Sequence, residues 1–283
     1  MVVDVHVHPS FFKDICDNPK RVSFRREQTG LYKTGIKPME LIYTQLDAAG
    51  INKTVLFAED LTTLYGDTVI SNEEIKTLID LAPDRFIGFA SVDPHRADAL
   101  EVLDYAFKDL GLMGLKLNLS KQRLFPTDDK LKPIYEKCIK YNKPIMFHAG
   151  LSWEPDTLSK YSHPLNFEEV ALTYPDLRMC LAHFSWPWVN ETVMLLIKYP
   201  NVYTDTSMLY LDSPKDFFEQ IFMKNMGPLW MDRNFNNKVM FGSNSPRFRP
   251  YRLKDALESL DIRRSTIQRI LGTNAIQFLG LEV

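Results

Sequence analysis

Two histidines separated by one residue, His6 and His8, end the first apolar run of the chain in Asp4-Val5-His6-Val7-His8. In an extended strand, residues two apart share a face, so both imidazoles can point the same way. Neutral imidazoles bind a divalent ion at about 2 Å, and this spacing delivers two of them. His148 directly follows the apolar run Pro144–Phe147, and His183 directly follows Leu177–Ala182. Any one of these alone reads as a satisfied structural histidine. Four of the six histidines at three strand ends read as a functional cluster. The chemistry such a cluster supports is metal-assisted activation of water, a carbonyl or a carboxylate.

Other residues fall where they could serve that cluster. Lys116, in Gly-Leu-Lys-Leu, is either an inward-facing site residue or a lysine snorkelling from a strand end. Carbamylated, it could bridge two metals; a hydrogen-bonding or substrate-binding role is favoured. Asp205, in Tyr-Thr-Asp-Thr, can orient a ligand histidine or cap the next turn, with the cap favoured. Arg247 and Arg249 could clamp a carboxylate bidentately or be solvated loop residues. Trp153 and Trp186, with Phe11, suit an apolar pocket wall, although rim packing explains the tryptophans equally well.

Eight short apolar runs can position these residues: Val2–Val7, Lys53–Phe57, Phe86–Val92, Gly114–Leu119, Pro144–Phe147, Leu177–Ala182, Val202–Thr204 and Lys238–Phe241. Amphipathic helical patterns alternate with them: Pro38–Ala49, Ser71–Ala82, Asp98–Leu110, Asp128–Tyr141, Asn166–Tyr174, Val189–Tyr199, Pro214–Met223 and Leu253–Leu260. Ser71 with Glu74 makes a capping box, and Asp128 and Asn166 are suitable N-caps. This alternation predicts parallel strands joined by helical crossovers. Eight repeats close an α/β (β/α)8 TIM barrel; an eight-stranded doubly wound sheet is the competing fold. Two loops, Pro9–Lys37 and Gly150–Pro164, are expected over the C-terminal face, and Phe222–Asn237 on the opposite side. With no linker or low-complexity segment, residues 1–283 read as one domain.

Composition sets the kind of partner. The 283 residues are 45% hydrophobic, and 34 Lys+Arg against 36 Asp+Glu leave a net charge of -2. That balance makes no electrostatic case for nucleic acid or an anionic membrane, so a small-molecule substrate is expected. No stretch of 18 apolar residues and no basic leader occur, and Cys16, Cys138 and Cys180 are few and widely spaced, so a soluble cytoplasmic protein with reduced thiols is expected.

Taken in order, Asp-Val-His-Val-His at 4–8, Gly-Leu-Lys-Leu at 114–117, Phe-His-Ala-Gly at 147–150, Leu-Ala-His at 181–183 and Phe-Gly-Ser-Asn-Ser-Pro at 241–246 resemble the amidohydrolase superfamily. Specifically, they resemble the branch containing aminocarboxymuconate semialdehyde decarboxylase and related metal-dependent hydrolases. The tail 270–280 is similar to that branch's closing helix. The resemblance implies a metal-dependent TIM barrel with His6, His8 and His148 as ligands and His183 as the catalytic histidine. A dimer is common among relatives. The strand-eight motif of the family normally ends Phe-Gly-Ser-Asp; here Asn244 stands in place of that catalytic aspartate. An amide oxygen can still ligate a metal, but it takes up no proton and leaves the site one negative charge poorer.

The leading reading is a metal-dependent hydrolase or non-oxidative decarboxylase of a small carboxylated substrate. Its metal is one divalent ion, Zn²⁺ favoured by histidine-rich ligation and Mn²⁺ the alternative. His183 manages the proton, and Lys116, Arg247 and Trp186 bind substrate. The competing readings are a metal-free lactonase-like enzyme and a barrel silenced by Asn244 that serves as a binding protein.

Overall fold

A computed structural model describes residues 1–154 and 156–281, so position 155 of the loop expected at Gly150–Pro164 lies outside the described residues. Eight parallel strands form one sheet: β1 (Val3–Val7), β2 (Lys53–Phe57), β3 (Phe86–Ala90), β4 (Gly114–Leu117), β5 (Ile145–Phe147), β6 (Met179–Leu181), β7 (Val202–Asp205) and β8 (Val239–Met240). The sheet runs in chain order, and its two ends meet. Val7 bridges Ser245 in parallel, and Val5 N–H donates to the Phe241 carbonyl at 2.9 Å. Asn244 N–H reaches the His6 carbonyl at 2.9 Å, and His8 N–H the Ser245 carbonyl at 2.8 Å. This is a (β/α)8 barrel, not an open doubly wound sheet.

Alternation divides the core into two layers. Lys116, Met146, Cys180 and Tyr203 are in register across four strands and face the barrel interior, where Val55, Phe57, Phe89 and Met240 pack with Phe278 and Leu279 of the closing helix. Leu115, Ile145, Met179 and Val202 are in register on the other face and meet the helices. Strand β1 breaks the rule. Its pairing with β2 slips between Asp4 and Val7, and such a bulge reverses which residues face inward. Val3 and Val5 therefore share the interior with His6, while Val7 joins the outer layer.

Several local expectations need correction. The segment Pro9–Lys37 is not all loop: Pro19–Thr29 is helical, with Asn18 accepting the N–H of Lys20 and Arg21, Pro19 at the first position and Gly30 left-handed at the end. Its apolar stripe is thin, so periodicity missed it. Asp128 does not cap; its carboxylate accepts Lys130 N–H in a local turn, and the helix begins at Lys132. Asn166 lies inside a 3-10 turn that precedes the helix at Glu168–Thr173. The strand expected to Leu119 stops at Leu117, because Asn118 caps a helical turn over Leu119–Gln122. Phe222–Asn237 also contains helical turns, up to Lys224 and from Met231 to Phe235. The Ser71–Glu74 capping box is present in both directions.

That box also anchors the loop over the barrel mouth. Arg25 is fully buried, and donates to the Val69 carbonyl at 2.8 Å, the Ile15 carbonyl at 2.6 Å and Glu74 Oε1 at 2.6 Å. Arg21 reaches the same carboxylate at 3.1 Å from a more exposed position. Breaking a buried pair strands polar groups, whereas an exposed pair contributes little. Arg25→Met should therefore lose roughly 3–5 kcal/mol in urea unfolding, and Arg21→Met less than about 1 kcal/mol. Equal losses would contradict this account.

Candidate metal centre

Every candidate residue arrives at the C-terminal end of a barrel strand, but by different routes. His6 and His8 follow the β1 bulge inward, and His148 continues the inward row of Met146. His183 does not follow alternation: Cys180 and Ala182 face inward, so its side chain should point out. Three successive left-handed residues, His183, Phe184 and Ser185 (φ 62°, 50° and 47°), turn the chain and bring the ring back. Such a run is costly for non-glycine residues and persists where the surroundings enforce it. Asn244 is likewise left-handed at φ 57°. Gly150 and Gly242 supply room: a Cβ at Gly150 would lie 2.4 Å from the Trp186 carbonyl oxygen, and one at Gly242 would lie 2.9 Å from His6 Cβ.

The four imidazoles converge. His6 Nε2 faces His8 Nε2 at 3.2 Å, and His148 Nδ1 faces His183 Nε2 at 3.2 Å. The rings of His6 and His183 are 4.6 Å apart. Behind them, Asp205 Oδ2 lies 2.8 Å from His6 Nδ1, so this aspartate both orients a histidine and accepts backbone N–H groups. Burial and Lys116 push His6 down despite Asp205, and burial with neighbouring cationic groups lowers His8 and His148 strongly. Burial first, then His6, takes His183 to about 3. Burial alone would raise Asp205, but His6, His183 and Ser207 overcome it and hold the carboxyl well below the usual range. At neutral pH the site is four uncharged imidazoles on an ionised carboxylate.

Each uncharged ring carries one lone pair. The facing Nε2 atoms of His6 and His8 can share at most one proton between them, and His148 Nε2 is buried with no hydrogen-bond partner. Unpartnered lone pairs in a buried cluster fit a divalent cation. Among the described residues, the His6, His183 and Asp205 ligand atoms gather within 4.8 Å of one another, a trio that differs from the expected His6, His8 and His148. Both Asp205 oxygens are already engaged, so the imidazoles are the available donors. Asn244 joins the same cleft, its Nδ2 donating weakly to the Ser207 carbonyl at 3.4 Å.

The cleft encloses about 1000 Å³, solvent at its mouth included, and is walled by Lys116, Trp153, Trp186 and Arg247 among others. Lys116 Nζ is buried without a hydrogen-bond partner and sits 5.0 Å over the Phe57 ring. Arg247 donates to the Thr29 carbonyl at 2.7 Å and lies 5.5 Å over Trp153, tying the two loops together. Arg249 is exposed and precedes a helix, and Phe11 is buried away from the cleft, so neither belongs to the wall. Sequence reasoning missed Lys121, which meets Glu59 at 3.2 Å, Glu154 at 3.3 Å and the Gln28 carbonyl at 2.9 Å. The Asn118 cap was the available signal. It also missed Ser207, for which the sequence carries no mark.

Barrel and site together define a class. The family model described as amidohydrolase matches residues 3–281, and the chain belongs to that family. Among curated relatives, Protein fluG of Emericella nidulans is 31% identical over 32% of this chain and 10% of its own length. The 2-amino-3-carboxymuconate-6-semialdehyde decarboxylase of Dictyostelium discoideum is 22% identical over 75% of this chain. The chain spans 66% of that decarboxylase's length. An uncharacterized TIM-barrel protein of Bordetella bronchiseptica has a similar structure, with TM-score 0.78, 21% identity, and 99% of this chain and 98% of the other covered. A mutant 5-carboxyvanillate decarboxylase of Novosphingobium aromaticivorans, holding manganese, gives TM-score 0.67 at 16% identity over 99% of this chain and 97% of its own. Among the described residues no helix is long and apolar enough to cross a membrane.

Lys116 makes the site costly in a measurable way. Burial lowers its ammonium from 10.5 to about 8. Between those two pH values the unfolded chain holds a proton that the folded chain has released, so this group's contribution to stability rises with pH. Metal-free Lys116→Met should therefore be more stable than the unmodified protein at pH 7, by an amount on the order of 3 kcal/mol. The gap should close as pH climbs from about 8 to 10.5. Urea unfolding across that range reads it; a gap independent of pH would refute the assignment.

Proposed function

We propose that this chain is a divalent-metal-dependent decarboxylase acting on a small carboxylated substrate. The observation that carries the reading is the cluster of four converging imidazoles, with His148 Nε2 buried and unpartnered, set in one cleft with the unpartnered Lys116. Support also comes from the decarboxylases among its relatives and from the manganese held by one of them. A divalent ion on these lone pairs would supply Lewis-acid stabilisation of developing negative charge. His6, His8 and His148 would hold it, with the Asn244 amide oxygen as a neutral further donor.

The protein's own groups then divide the work. Lys116 and Arg247 offer positive charge to a carboxylate, and Trp186 walls the apolar side of the cleft. His183 is uncharged and close to the ionised Asp205, so its Nε2 can take up a proton and return it. In the reaction the C–C bond would break with its electron pair left on carbon, CO2 would depart, and a proton taken up from solvent at His183 Nε2 would be passed to that carbon, returning His183 to its uncharged form. Asn244 has no proton to accept or give. A position without a base disfavours hydrolysis, which must deprotonate water, more than it disfavours decarboxylation.

Protein purified without chelator and supplied with Mn²⁺ should bind about one ion per chain and release CO2 from a hydroxybenzoate or enal carboxylate panel. His183→Ala should cut turnover by roughly 10²–10⁴-fold with metal binding retained. Asn244→Asp should tighten Mn²⁺ binding through the added charge. CO2 release by the aspartate variant alone would mean a barrel silenced at this position, and lactone hydrolysis without metal would favour the metal-free alternative.

A further inference from the structure

The two oxygens of Asp205 are not equivalent. Oδ1 accepts the backbone N–H of His183 at 2.9 Å, that of Ser207 at 3.0 Å, and the Ser207 hydroxyl. Oδ2 faces His6 Nδ1 at 2.8 Å. With its proton committed to Asp205, the Ser207 hydroxyl presents only lone pairs to His6 Nδ1 at 3.1 Å and His183 Nδ1 at 2.8 Å. The Ser207 carbonyl also faces His183 Nδ1 at 2.8 Å. Every atom facing the two Nδ1 positions is thus an acceptor. A neutral imidazole has one N–H to give; at Nδ1 it meets only acceptors, whereas Nε2 faces a ring nitrogen of His8 or His148 that can itself be the donor.

We propose that Asp205 and Ser207 are positioning residues that fix His6 and His183 as Nδ1–H tautomers and so turn both Nε2 lone pairs toward the cleft. Only the use of those lone pairs rests on the function proposed above; the tautomers themselves follow from the hydrogen bonds.

One substitution separates this role from simple packing. In Asp205→Asn, the donors around Oδ1 require the amide oxygen there, which places the amide NH2 where Oδ2 was. His6 Nδ1 then meets a donor and must become an acceptor, so the ring proton moves to Nε2, as when an amide replaces the carboxylate that orients a catalytic histidine. That proton would lie between His6 and His8, whose Nε2 atoms are 3.2 Å apart.

The test is long-range ¹H–¹⁵N correlation of the imidazoles in metal-free, ¹⁵N-labelled protein, with His6 identified by its loss in His6→Asn. The unmodified protein should show Nδ1–H for both His6 and His183, and Ser207→Ala should leave His6 unchanged because Asp205 Oδ2 remains. Asp205→Asn should convert His6 to Nε2–H and weaken Mn²⁺ binding roughly 10–100-fold by calorimetry. An Nε2–H signal from either histidine in the unmodified protein overturns the proposal, as does an unchanged His6 in folded Asp205→Asn. Should that variant not fold, the unmodified protein's spectrum decides alone. Expected tautomers without any Mn²⁺ binding would count against the metal-dependent function and leave this inference standing.

Discussion

A carboxylate sealed from water is the constraint on which the site depends. Asp205 is fully buried and ionised, a state that costs several kcal/mol unless donors surround it. Those donors come from separate parts of the barrel: the His6 ring from β1, the His183 backbone from beyond β6, and Ser207 from just past β7 itself. Ser207 is a local donor, but the His6 ring and the His183 backbone cannot reach Asp205 before the strands are in place. Closing the barrel and assembling the site are therefore one event, because β1 must lie beside β8 for His6 to reach across to Asp205.

The same constraint accounts for the strain at the mouth. His183 leaves β6 on the wrong parity for an inward residue, and its backbone N–H is fixed on Asp205 where the left-handed turn begins. Three such residues in a row would unwind without a fixed partner. The buried carboxylate provides one, and Gly150 provides the space into which the turned Ser185–Trp186 backbone fits.

How far the sequence could be read follows from whether a feature is local. His6 and His8 were legible because residues two apart at a strand end share a face, and His148 because it stands just beyond a strand end on the inward row. The barrel was legible because β-rich runs and amphipathic segments alternate eight times. The β1 bulge was not, since pairing register belongs to two strands and appears in neither alone. His183 could be placed by its apolar run but not aimed, as its direction depends on the left-handed turn. Asp205 was read first as a cap and proves to be both cap and histidine partner. Lys121 was hidden by a strand drawn two residues too long, and the helix Pro19–Thr29 by a face carrying too few apolar residues for its period to show.

Two departures from local rules lie in the same cleft. Lys121 is a buried cation with two carboxylates beside it, an arrangement a folded chain can maintain unaided. Lys116 is equally buried and has no hydrogen-bond partner, while Asn244 puts a neutral amide where the family motif carries a carboxylate. A cleft that keeps an unpaired ammonium and gives up a negative charge is short of anionic partners from its own chain. Physical chemistry offers two remedies, deprotonating the lysine or admitting an anion, and the lowered lysine and the open mouth permit both. Under the function proposed above, a substrate carboxylate would supply the second. Local rules in folded proteins are broken chiefly where function requires it, and under the proposed function the missing charge at position 244 and the unpaired one at position 116 would belong to a single feature, a site completed by its ligand.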